Sequence, residues 1–192
     1  MAEKGKKIII ITAPSGAGKS SITQYLLKKF PELVFSISAT TRPQRGTEKN
    51  GVDYYFLSLP EFLQKIEAGL FMEWEMVYAG KYYGTLKSEM DRIWNLGKVP
   101  ILDIDVKGAM HVQQTYGNQV LSIFIAPPSL EELRKRLIHR GTETLENLEI
   151  RLEKANYELS FKNHFAKVVI NKDLDKACAQ TAKYIQAFLS KK

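Results

Sequence analysis

Residues 8–21 constrain the fold more than any other part of the sequence. Four consecutive isoleucines, residues 8–11, are typical of a strand that is buried on both faces. The following turn, residues 13–20, has the sequence A-P-S-G-A-G-K-S. It matches the phosphate-binding pattern G-x-x-x-x-G-K-[ST], except that Ala13 takes the place of the first glycine. A helical pattern begins at Lys19, so this segment predicts a strand, a phosphate-binding turn and a helix.

Each residue type in the turn suits a nucleotide triphosphate. Gly16 and Gly18 let backbone N–H groups turn inward around a phosphate, where a Cβ atom would obstruct them. The helix N-terminus near Lys19 adds partial positive charge, the Lys19 ammonium can reach the β- and γ-phosphates, and the Ser20 hydroxyl can bind Mg²⁺. The predicted triphosphate-binding residues are Ala13, Pro14, Ser15, Gly16, Ala17, Gly18, Lys19, Ser20 and Ser21.

Charge and composition restrict the partners. The 192 residues carry a net charge of +7, which favours an anionic partner. The basic residues are spread along the chain without an RNA-binding signature, so we expect phosphorylated small molecules and no nucleic acid. No apolar run approaches the roughly 18 residues of a membrane span, and no signal peptide is indicated. A single cysteine, Cys178, fits a reducing compartment, so we expect a cytoplasmic protein without a membrane partner; the sequence does not define its oligomeric state.

Strand and helix patterns alternate along most of the chain. Strand patterns at residues 34–38, 99–104, 120–126 and 167–170 are separated by amphipathic helical patterns. This order is typical of a parallel sheet with helices on both faces, which binds ligands at the carboxyl ends of its strands. The predicted fold class is therefore α/β, of the phosphate-loop NTPase type.

Residues 39–86 interrupt this alternation. Residues 39–50 are polar and rich in turn formers, and we do not expect them in a core. Residues 52–57 have a strand pattern, and residues 71–83 have strand patterns separated by a hairpin signal. The segment is therefore predicted to be a small mixed α/β insertion rich in aromatic residues.

A phosphate loop alone does not distinguish a kinase from a GTPase or an ATPase motor. Residues 105–108, D-V-K-G, fit the D-x-x-G element of GTPases. Residues 171–174 begin like the guanine-binding N-K-x-D element, but Leu174 takes the place of the required aspartate. The length of the insertion also suits an acceptor-binding region better than a GTPase switch, which favours a kinase.

Further motifs follow in order along the chain. They are S-A-T-T-R-P-Q-R (residues 38–45), G-V-D-Y-Y-F (51–56), F-M-E-W (71–74), Y-Y-G-T (82–85), I-L-D-I-D (101–105), I-A-P-P-S (125–129) and R-G-T-E-T (140–144). With the phosphate loop, they closely resemble the guanylate kinase family from about residue 6 to residue 188. The resemblance implies one domain with a core (1–38, 87–127 and 164–192), a GMP-binding insertion (39–86) and a helical lid (128–163).

The resemblance also implies a site for the phosphate of GMP. The family binds this phosphate with two arginines and two tyrosines, which correspond here to Arg42, Arg45, Tyr54 and Tyr83. Arginine forks match phosphate oxygens bidentately, and tyrosine hydroxyls add neutral donors. Without the other motifs, a solvated basic turn would be the default interpretation of this segment.

The guanine base is assigned in the same way. The resemblance places Glu73 opposite the N1–H and 2-amino donors of guanine, with Ser38 and Thr85 as donors to O6. Adenine has no matching N1–H, so such a site should reject it. Asp105 is implied to face the guanine pocket, although it could also cap the next helix. Glu75 has no implied role and is expected at the surface.

The remaining implied residues serve ATP. Asp103 and Asp105 follow a buried strand two residues apart and should face the same way, and Asp103 is expected to orient the water shell of Mg²⁺. The implied lid arginines, which close over ATP, are Arg136, Arg140 and Arg151, and Asn171 is implied to border the adenine. The predicted catalytic residues are Lys19, Arg42, Arg136, Arg140 and Arg151.

The resemblance implies transfer of the γ-phosphoryl group of Mg·ATP to GMP, giving ADP and GDP, with dGMP as a second acceptor. The alternative from another class is a non-catalytic guanylate-kinase-like module that binds phosphopeptides. Such modules typically lose the phosphate loop, whereas Lys19 and Ser20 are present here. A related kinase for another small acceptor is disfavoured by the pair Glu73 and Ser38.

Overall fold

The computed structural model describes residues 6–139 and 145–191. The strands are β1 (Ile8–Thr12), β2 (Leu33–Phe35), β3 (Ala39–Thr40), β4 (Tyr55–Phe56), β5 (Phe71–Tyr78), β6 (Lys81–Leu86), β7 (Val99–Asp103), β8 (Val120–Ala126) and β9 (Lys167–Ile170). The α-helices are α1 (Lys19–Lys29), α2 (Leu59–Glu67), α3 (Lys87–Asn95), α4 (Val106–Tyr116), α5 (Leu130–His139), α6 (Leu145–Ser160) and α7 (Leu174–Leu189). Within the described ranges, no helix combines the length and the apolar character needed to cross a bilayer.

Five strands form a parallel sheet in the order β2-β7-β1-β8-β9. The central strand, β1, pairs with β7 through Ile9 and Ile101 and with β8 through Ile9 and Leu121. The segment that matches the phosphate loop follows β1 at the carboxyl edge of this sheet, where ligands bind in α/β folds. The predicted α/β class is confirmed.

The four isoleucines of β1 contribute to the core on both sides of the sheet. Ile9 and Ile11 pack in the cluster that contains residues of α1 and α7, and Ile8 and Ile10 pack in the cluster that contains residues of α3 and α4. All four side chains are fully buried, which contributes about 1.5–3 kcal/mol each relative to exposure. The strand is therefore buried on both faces, as the sequence predicts, with helices on either side of the sheet.

A second, mixed sheet has the order β4-β3-β6-β5. Strands β5 and β6 form the predicted hairpin, with Gly80 in the turn at φ +70°. Helix α2 begins with a capping box between Ser58 and Glu61, and it packs on the sheet through Phe62, whose ring stacks on Phe71 with centroids 4.4 Å apart. The insertion is thus a small mixed α/β unit.

Two expectations for this second sheet are wrong. Ala39 and Thr40, expected in a polar segment outside the core, form β3 and are fully buried between β4 and β6. The Thr40 hydroxyl donates to the Tyr82 carbonyl at 3.0 Å, so its polar group is satisfied inside the sheet. The strand expected at residues 52–57 contains only the two residues of β4. The pairing of β3 with a strand some forty residues later leaves no local signal in the sequence.

Helices α5 and α6 pack against each other beside the parallel sheet. Leu133 and Leu137 of α5 form a small apolar cluster with Leu148 and Ala155 of α6. The same two leucines lie against the phosphate loop, since a Cβ atom at Gly16 would come 3.0 Å from Leu137 Cδ2. Packing on the loop thus sets the position of the helix pair next to the predicted triphosphate site.

Candidate functional site

A cleft of about 480 Å³ lies between the parallel sheet, the second sheet and α6. The predicted site residues that line it are Ala13, Pro14, Ser15, Gly16, Gly18, Lys19, Ser20, Ser38, Tyr54, Glu73, Tyr83, Asp103, Asp105 and Arg151. The described site residues that lie outside the lining are Ala17, Ser21, Arg42, Arg45, Thr85, Arg136 and Asn171. Arg140 lies outside the described residues. One cleft therefore joins most of the residues assigned to ATP with most of those assigned to GMP.

The phosphate loop has the backbone that its glycines predict. Gly16 and Gly18 have φ values of +89° and +96°, a left-handed region that favours glycine. A Cβ atom at Gly18 would also overlap with Nδ2 of Asn171. Ala13 does not adopt a positive φ, so an alanine at this position is compatible with the turn. The substitution of the first glycine therefore leaves the loop intact.

Lys19 is paired with Asp103 in this structure. Lys19 begins α1 directly after the loop, and Asp103 ends the neighbouring strand β7, so the parallel pairing of β1 and β7 brings the two together. Ser20 and Asp103 line the cleft together with Lys19. A hydroxyl and a carboxylate are hard oxygen donors of the kind that Mg²⁺ prefers. These two residues therefore fit the predicted metal position.

Asn171 and Arg136 form a chain of contacts to the back of the loop. The Asn171 amide Nδ2 donates to the Ala17 carbonyl at 2.8 Å, and Asn171 is only 4% exposed. Arg136 of α5 donates through Nη2 to the Asn171 carbonyl at 3.0 Å and through Nε to Glu132 at 3.1 Å. Both residues thus support the loop here, and their assigned contacts with ATP stay predictions.

Helix α6 contacts the phosphate loop and contributes to the cleft wall. Arg151 donates through Nη1 to the Ser15 hydroxyl at 3.0 Å. Lys154 and Glu158, one and two turns further along the helix, also line the cleft. Burial raises the pKa of Glu158 above its ordinary value. Arg151 is therefore close enough to meet a phosphate held by the loop.

Arg42 is nearly buried, with 6% exposure, although the sequence did not indicate a core position. Its guanidinium donates to both carboxylate oxygens of Glu48, at 2.7 and 2.6 Å, and lies over the Tyr54 ring at 4.7 Å. The hydrogen bond from Arg42 lowers the pKa of Glu48 to about 2. Glu48 also accepts from the Arg45 backbone N–H at 2.8 Å. One carboxylate thus organises the segment that carries both predicted phosphate-binding arginines.

The two predicted tyrosines stand together beside Arg42. The rings of Tyr54 and Tyr83 meet edge to face with centroids 6.2 Å apart, and both residues line the cleft. Burial raises the pKa of Tyr54 above its ordinary value, so its hydroxyl stays protonated as a donor. The two tyrosines therefore offer hydroxyl donors in the cleft wall beside Arg42, whose guanidinium is engaged with Glu48 in this structure.

Glu73 is a nearly buried carboxylate in the cleft wall, 6% exposed. Burial, together with the charge of Asp105, raises the pKa of Glu73 to about 7, although the hydrogen bond from Thr85 opposes this shift. The Thr85 hydroxyl donates to Glu73 Oε1 at 2.6 Å. Because a hydroxyl has one proton, Thr85 cannot donate to a base while it makes this bond, and its contact with O6 stays a prediction. Asp105 lines the cleft and also caps α4, accepting from Gly108 N at 2.8 Å.

Three glutamates have positions or partners in the structure that the sequence analysis did not predict. Glu75, expected at the surface, is half-buried in the cleft wall two residues after Glu73, and burial raises its pKa. Glu48 was missed because nothing in its polar surroundings marks it as a partner of Arg42. Glu89 was also missed, although its place beside Met90 and four residues before Ile93 put a charge on the apolar side of α3.

One cleft thus contains a phosphate loop at the edge of a parallel sheet together with the residues assigned to a second nucleotide. This combination is typical of a nucleotide kinase of the phosphate-loop type. The chain belongs to the guanylate kinase family, since the model of the family "Guanylate kinase" matches residues 5–188. A guanylate kinase of Bacteroides fragilis is 51% identical over 183 residues, which cover 95% of this chain and 90% of that protein. A guanylate kinase of Thermotoga maritima is 43% identical over 181 residues, which cover 94% and 86%. The crystal structure of guanylate kinase from Anaplasma phagocytophilum superposes with a TM-score of 0.77 at 31% identity, covering 96% and 87%.

Proposed function

We propose that this protein transfers the γ-phosphoryl group of Mg·ATP to GMP, producing ADP and GDP. The observation that carries the proposal is that Lys19 and Glu73 line the same cleft. Lys19 suits a transferring phosphate, and Glu73 suits the two N–H groups on the edge of a guanine base. The pair therefore supports both the donor and the choice of acceptor. No observation favours the phosphopeptide-binding alternative.

On the ATP side, the proposal rests on positive charge and backbone donors around the loop. Gly16 and Gly18 leave the loop amides accessible to the β-phosphate, and Lys19 turns from Asp103 toward the β- and γ-oxygens when the nucleotide enters. Arg151, which contacts Ser15 in the free protein, is close enough to follow the γ-phosphoryl group. We assign Arg136 and Arg140 to the same charge neutralisation, with Arg140 assigned from the sequence alone.

Ser20 and Asp103 are the residues that would hold Mg²⁺, Ser20 directly and Asp103 through water. The bound ion would supply charge neutralisation between the β- and γ-phosphates. Asp103 has a further role without the ion, because it keeps the Lys19 ammonium paired and oriented in the free protein.

On the GMP side, we assign Arg42, Arg45, Tyr54 and Tyr83 to the acceptor phosphate, and Glu73 to guanine. Ser38 lines the cleft near the base position and supports the assignment of a donor to O6. The charge of Asp105 adds to the effect of burial in raising the pKa of Glu73, and Asp105 is proposed to meet the 2-amino side of the base. Thr85 would act on guanine through Glu73, whose oxygen it already contacts.

The transfer itself needs no covalent intermediate. A phosphate oxygen of GMP forms a bond to the γ-phosphorus while the bond from that phosphorus to the β,γ-bridging oxygen breaks, and ADP leaves with the electron pair. Lys19 and the arginines stabilise the charge that spreads over the equatorial oxygens. The role of the chain is therefore alignment of the two nucleotides and charge neutralisation.

We propose that the chain has the three parts that the sequence predicts. Residues 1–38, 87–127 and 164–192 would form the core, residues 39–86 the GMP-binding part, and residues 128–163 a lid over ATP. The buried, unpaired Cys178 suits a reducing compartment, and we place the reaction in the cytoplasm.

A coupled assay of ADP formation with GMP, dGMP, AMP, UMP and CMP as acceptors tests the proposal. We expect turnover with GMP and dGMP and a kcat/KM at least about 10³-fold lower with AMP, because adenine would leave Glu73 without its donors. Equal use of AMP, or no turnover with any acceptor in the presence of Mg·ATP, would overturn the assignment.

A further inference from the structure

The strongest feature outside the assigned site is the buried carboxylate of Glu89. Glu89 lies in the first turn of α3, and its side chain is only 1% exposed. It sits beside Met90 and Ile93, both fully buried in the apolar cluster on this side of the sheet. A charge in such surroundings is expensive unless donors surround it, so its partners indicate why it is there.

Four hydrogen bonds converge on the Glu89 carboxylate from three segments. Oε1 accepts from the backbone N–H of Ile37 at 2.9 Å, and Oε2 accepts from the Tyr55 hydroxyl at 3.0 Å. Arg92, one turn along α3, donates through Nε and Nη2, each at 2.8 Å. All the strong acceptor positions of the carboxylate are thereby used.

These partners lie where the chain passes between the two sheets. Ile37 lies between β2 of the parallel sheet and β3 of the second sheet, on the outward passage. Glu89 lies three residues after the end of β6, on the return passage. Tyr55 belongs to β4, within the second sheet. One carboxylate therefore ties both passages and the second sheet together.

The residues next to these partners line the cleft. Ser38 follows Ile37, and Tyr54 precedes Tyr55, and both are in the cleft wall. The Tyr55 backbone N–H donates to the Ser38 carbonyl at 2.9 Å, so the two contacts of Glu89 hold a single connected piece of backbone. Through it, Glu89 reaches one residue assigned to the base and one assigned to the phosphate.

An ion pair that only stabilised the fold would not need the hydrogen bonds from Ile37 and Tyr55. The side chain of Arg92 is 43% exposed, and its guanidinium by itself supplies the charge that a buried carboxylate requires. Burial raises the pKa of Glu89, but the bonds from Arg92, Ile37 and Tyr55 outweigh it and hold this pKa below its ordinary value. The contacts with Ile37 and Tyr55 are therefore additional, and both lead to the GMP side of the cleft.

We propose that Glu89 is a positioning residue for GMP: it sets Ser38 and Tyr54 relative to the phosphate loop by holding Ile37 N and the Tyr55 hydroxyl. The inference rests on the proposed function, since it names a residue that prepares the acceptor site of the same reaction. Glu89 itself is not among the residues that line the cleft.

The test compares Glu89→Gln and Tyr55→Phe with the unchanged protein. GMP binding is measured by calorimetry, and KM values for GMP and ATP are measured by the coupled assay. We expect the Kd and KM for GMP to rise about tenfold in Glu89→Gln and about threefold in Tyr55→Phe, the equivalent of one ordinary hydrogen bond or less. The KM for ATP should change by less than about twofold. The double variant should be no worse than Glu89→Gln, because both changes break one network.

Two control variants separate positioning from loss of stability. Glu61→Gln changes an exposed carboxylate of the second sheet's own helix, and Ile93→Val removes a buried methyl group from α3. Glu61→Gln should leave both KM values unchanged. Ile93→Val should lower the melting temperature without changing the KM for GMP. A loss of melting temperature in Glu89→Gln with an unchanged Kd for GMP would overturn the inference, as would an equal rise of both KM values.

Failure of the proposed function has a different signature. If the unchanged protein neither binds GMP nor transfers phosphate to it, the proposed function and this inference both fall. If it binds and phosphorylates GMP and both network variants do the same with unchanged Kd, only the role of Glu89 is wrong. Tyr55→Phe keeps the ring and removes one hydroxyl, so it answers the question even if Glu89→Gln does not fold.

Discussion

Gly108 lies directly against the carboxylate of Glu73. A Cβ atom at position 108 would come within 2.6 Å of Glu73 Oε2 and 3.3 Å of Asp105 Oδ1. Both distances are shorter than ordinary van der Waals contact for carbon and oxygen. The missing side chain in the first turn of α4 therefore provides the space in which the Glu73 carboxylate lies.

This relationship predicts a selective effect of Gly108→Ala. Alanine is the better helix former, and the group that must move is the end of a flexible side chain, so the fold should persist. The displaced carboxylate should lower kcat/KM for GMP by about tenfold or more, with KM for ATP unchanged. Steady-state kinetics check this, with Gln114→Ala on the exposed side of α4 as control. Wild-type kinetics in Gly108→Ala would mean that the position of Glu73 is not critical.

The pKa of Glu73 predicts that the use of GMP falls in acid. Its pKa of about 7 in the free protein means that the carboxylate becomes a carboxylic acid below this pH. Protonation places an O–H opposite the N1–H of guanine, so kcat/KM for GMP should fall about tenfold per pH unit below 7. Burial is the main cause of the raised pKa of Glu73; the negative charges of Asp105 and Glu75 add to it, and the hydrogen bond from Thr85 opposes it.

The matched variant for this profile is Glu73→Gln, which cannot titrate. Between pH 5.5 and 7 its kcat/KM for GMP should stay within about twofold of its own maximum. A profile for the unchanged protein without an acid limb near pH 7 would contradict the raised pKa.

The raised pKa of Glu73 also makes the stability of the fold depend on pH. Because the folded pKa lies above the ordinary 4.5, the free protein loses the contribution of protonated Glu73 as the pH rises through 7.

Glu73→Gln also tests whether Glu73 recognises the base. The amide keeps the shape of the side chain but turns an NH₂ group toward the guanine donors. We expect a loss on the order of 10²-fold or more in kcat/KM for GMP and a smaller loss for inosine monophosphate, which lacks the 2-amino group. The measurement is kcat/KM for both acceptors with both proteins. Equal losses for the two nucleotides, or none for GMP, would show that Glu73 does not contact the base edge.

Glu48→Gln should weaken the acceptor site without touching the donor site. The carboxylate of Glu48 holds Arg42 bidentately over Tyr54, and an amide keeps at most one of these two bonds. We expect KM for GMP to rise about threefold to tenfold, with KM for ATP unchanged. Glu67→Gln, an exposed carboxylate in α2, serves as control. Tighter binding of GMP in Glu48→Gln would instead mean that Glu48 competes with the acceptor phosphate for Arg42.

Lys19→Ala should abolish turnover and leave the fold intact. The side chain of Lys19 is 23% exposed and contacts the phosphate-loop side of the cleft, so it contributes charge and little packing. We expect kcat to fall at least about 10³-fold, with an unchanged circular dichroism spectrum. Lys28→Ala, in the last turn of the same helix, should keep the wild-type kcat. A near-normal kcat in Lys19→Ala would refute the assignment of the loop to ATP.

The parts of the fold that local sequence determines could be predicted. The isoleucines of β1, the glycines of the loop and the start of α1 at Lys19 carry their conformations in adjacent residues, and the structure has them as expected. The same holds for the β5–β6 hairpin, whose turn requires the positive φ of Gly80.

Contacts between distant segments could not be predicted in the same way. Asp103 was expected to serve a metal, but its pairing with Lys19 depends on the adjacency of β1 and β7, which many strand orders would not produce. The burial of Thr40 likewise depends on Tyr82 of β6, which lies 42 residues later in the chain. A polar residue is predicted to be exposed when its hydrogen-bond partner lies far away along the chain.

Strand β1 is the middle strand of its sheet, and it precedes both of its partner strands, β7 and β8, along the chain. Its two partners begin at Val99 and Val120, so the four isoleucines leave the ribosome roughly 90 residues before either partner exists. At about 5–20 residues per second, this interval lasts on the order of 5–20 s. An apolar strand without partners is prone to aggregation throughout that time. The central position that supports the phosphate loop thus leaves β1 without its two partner strands until much of the rest of the chain has been synthesised.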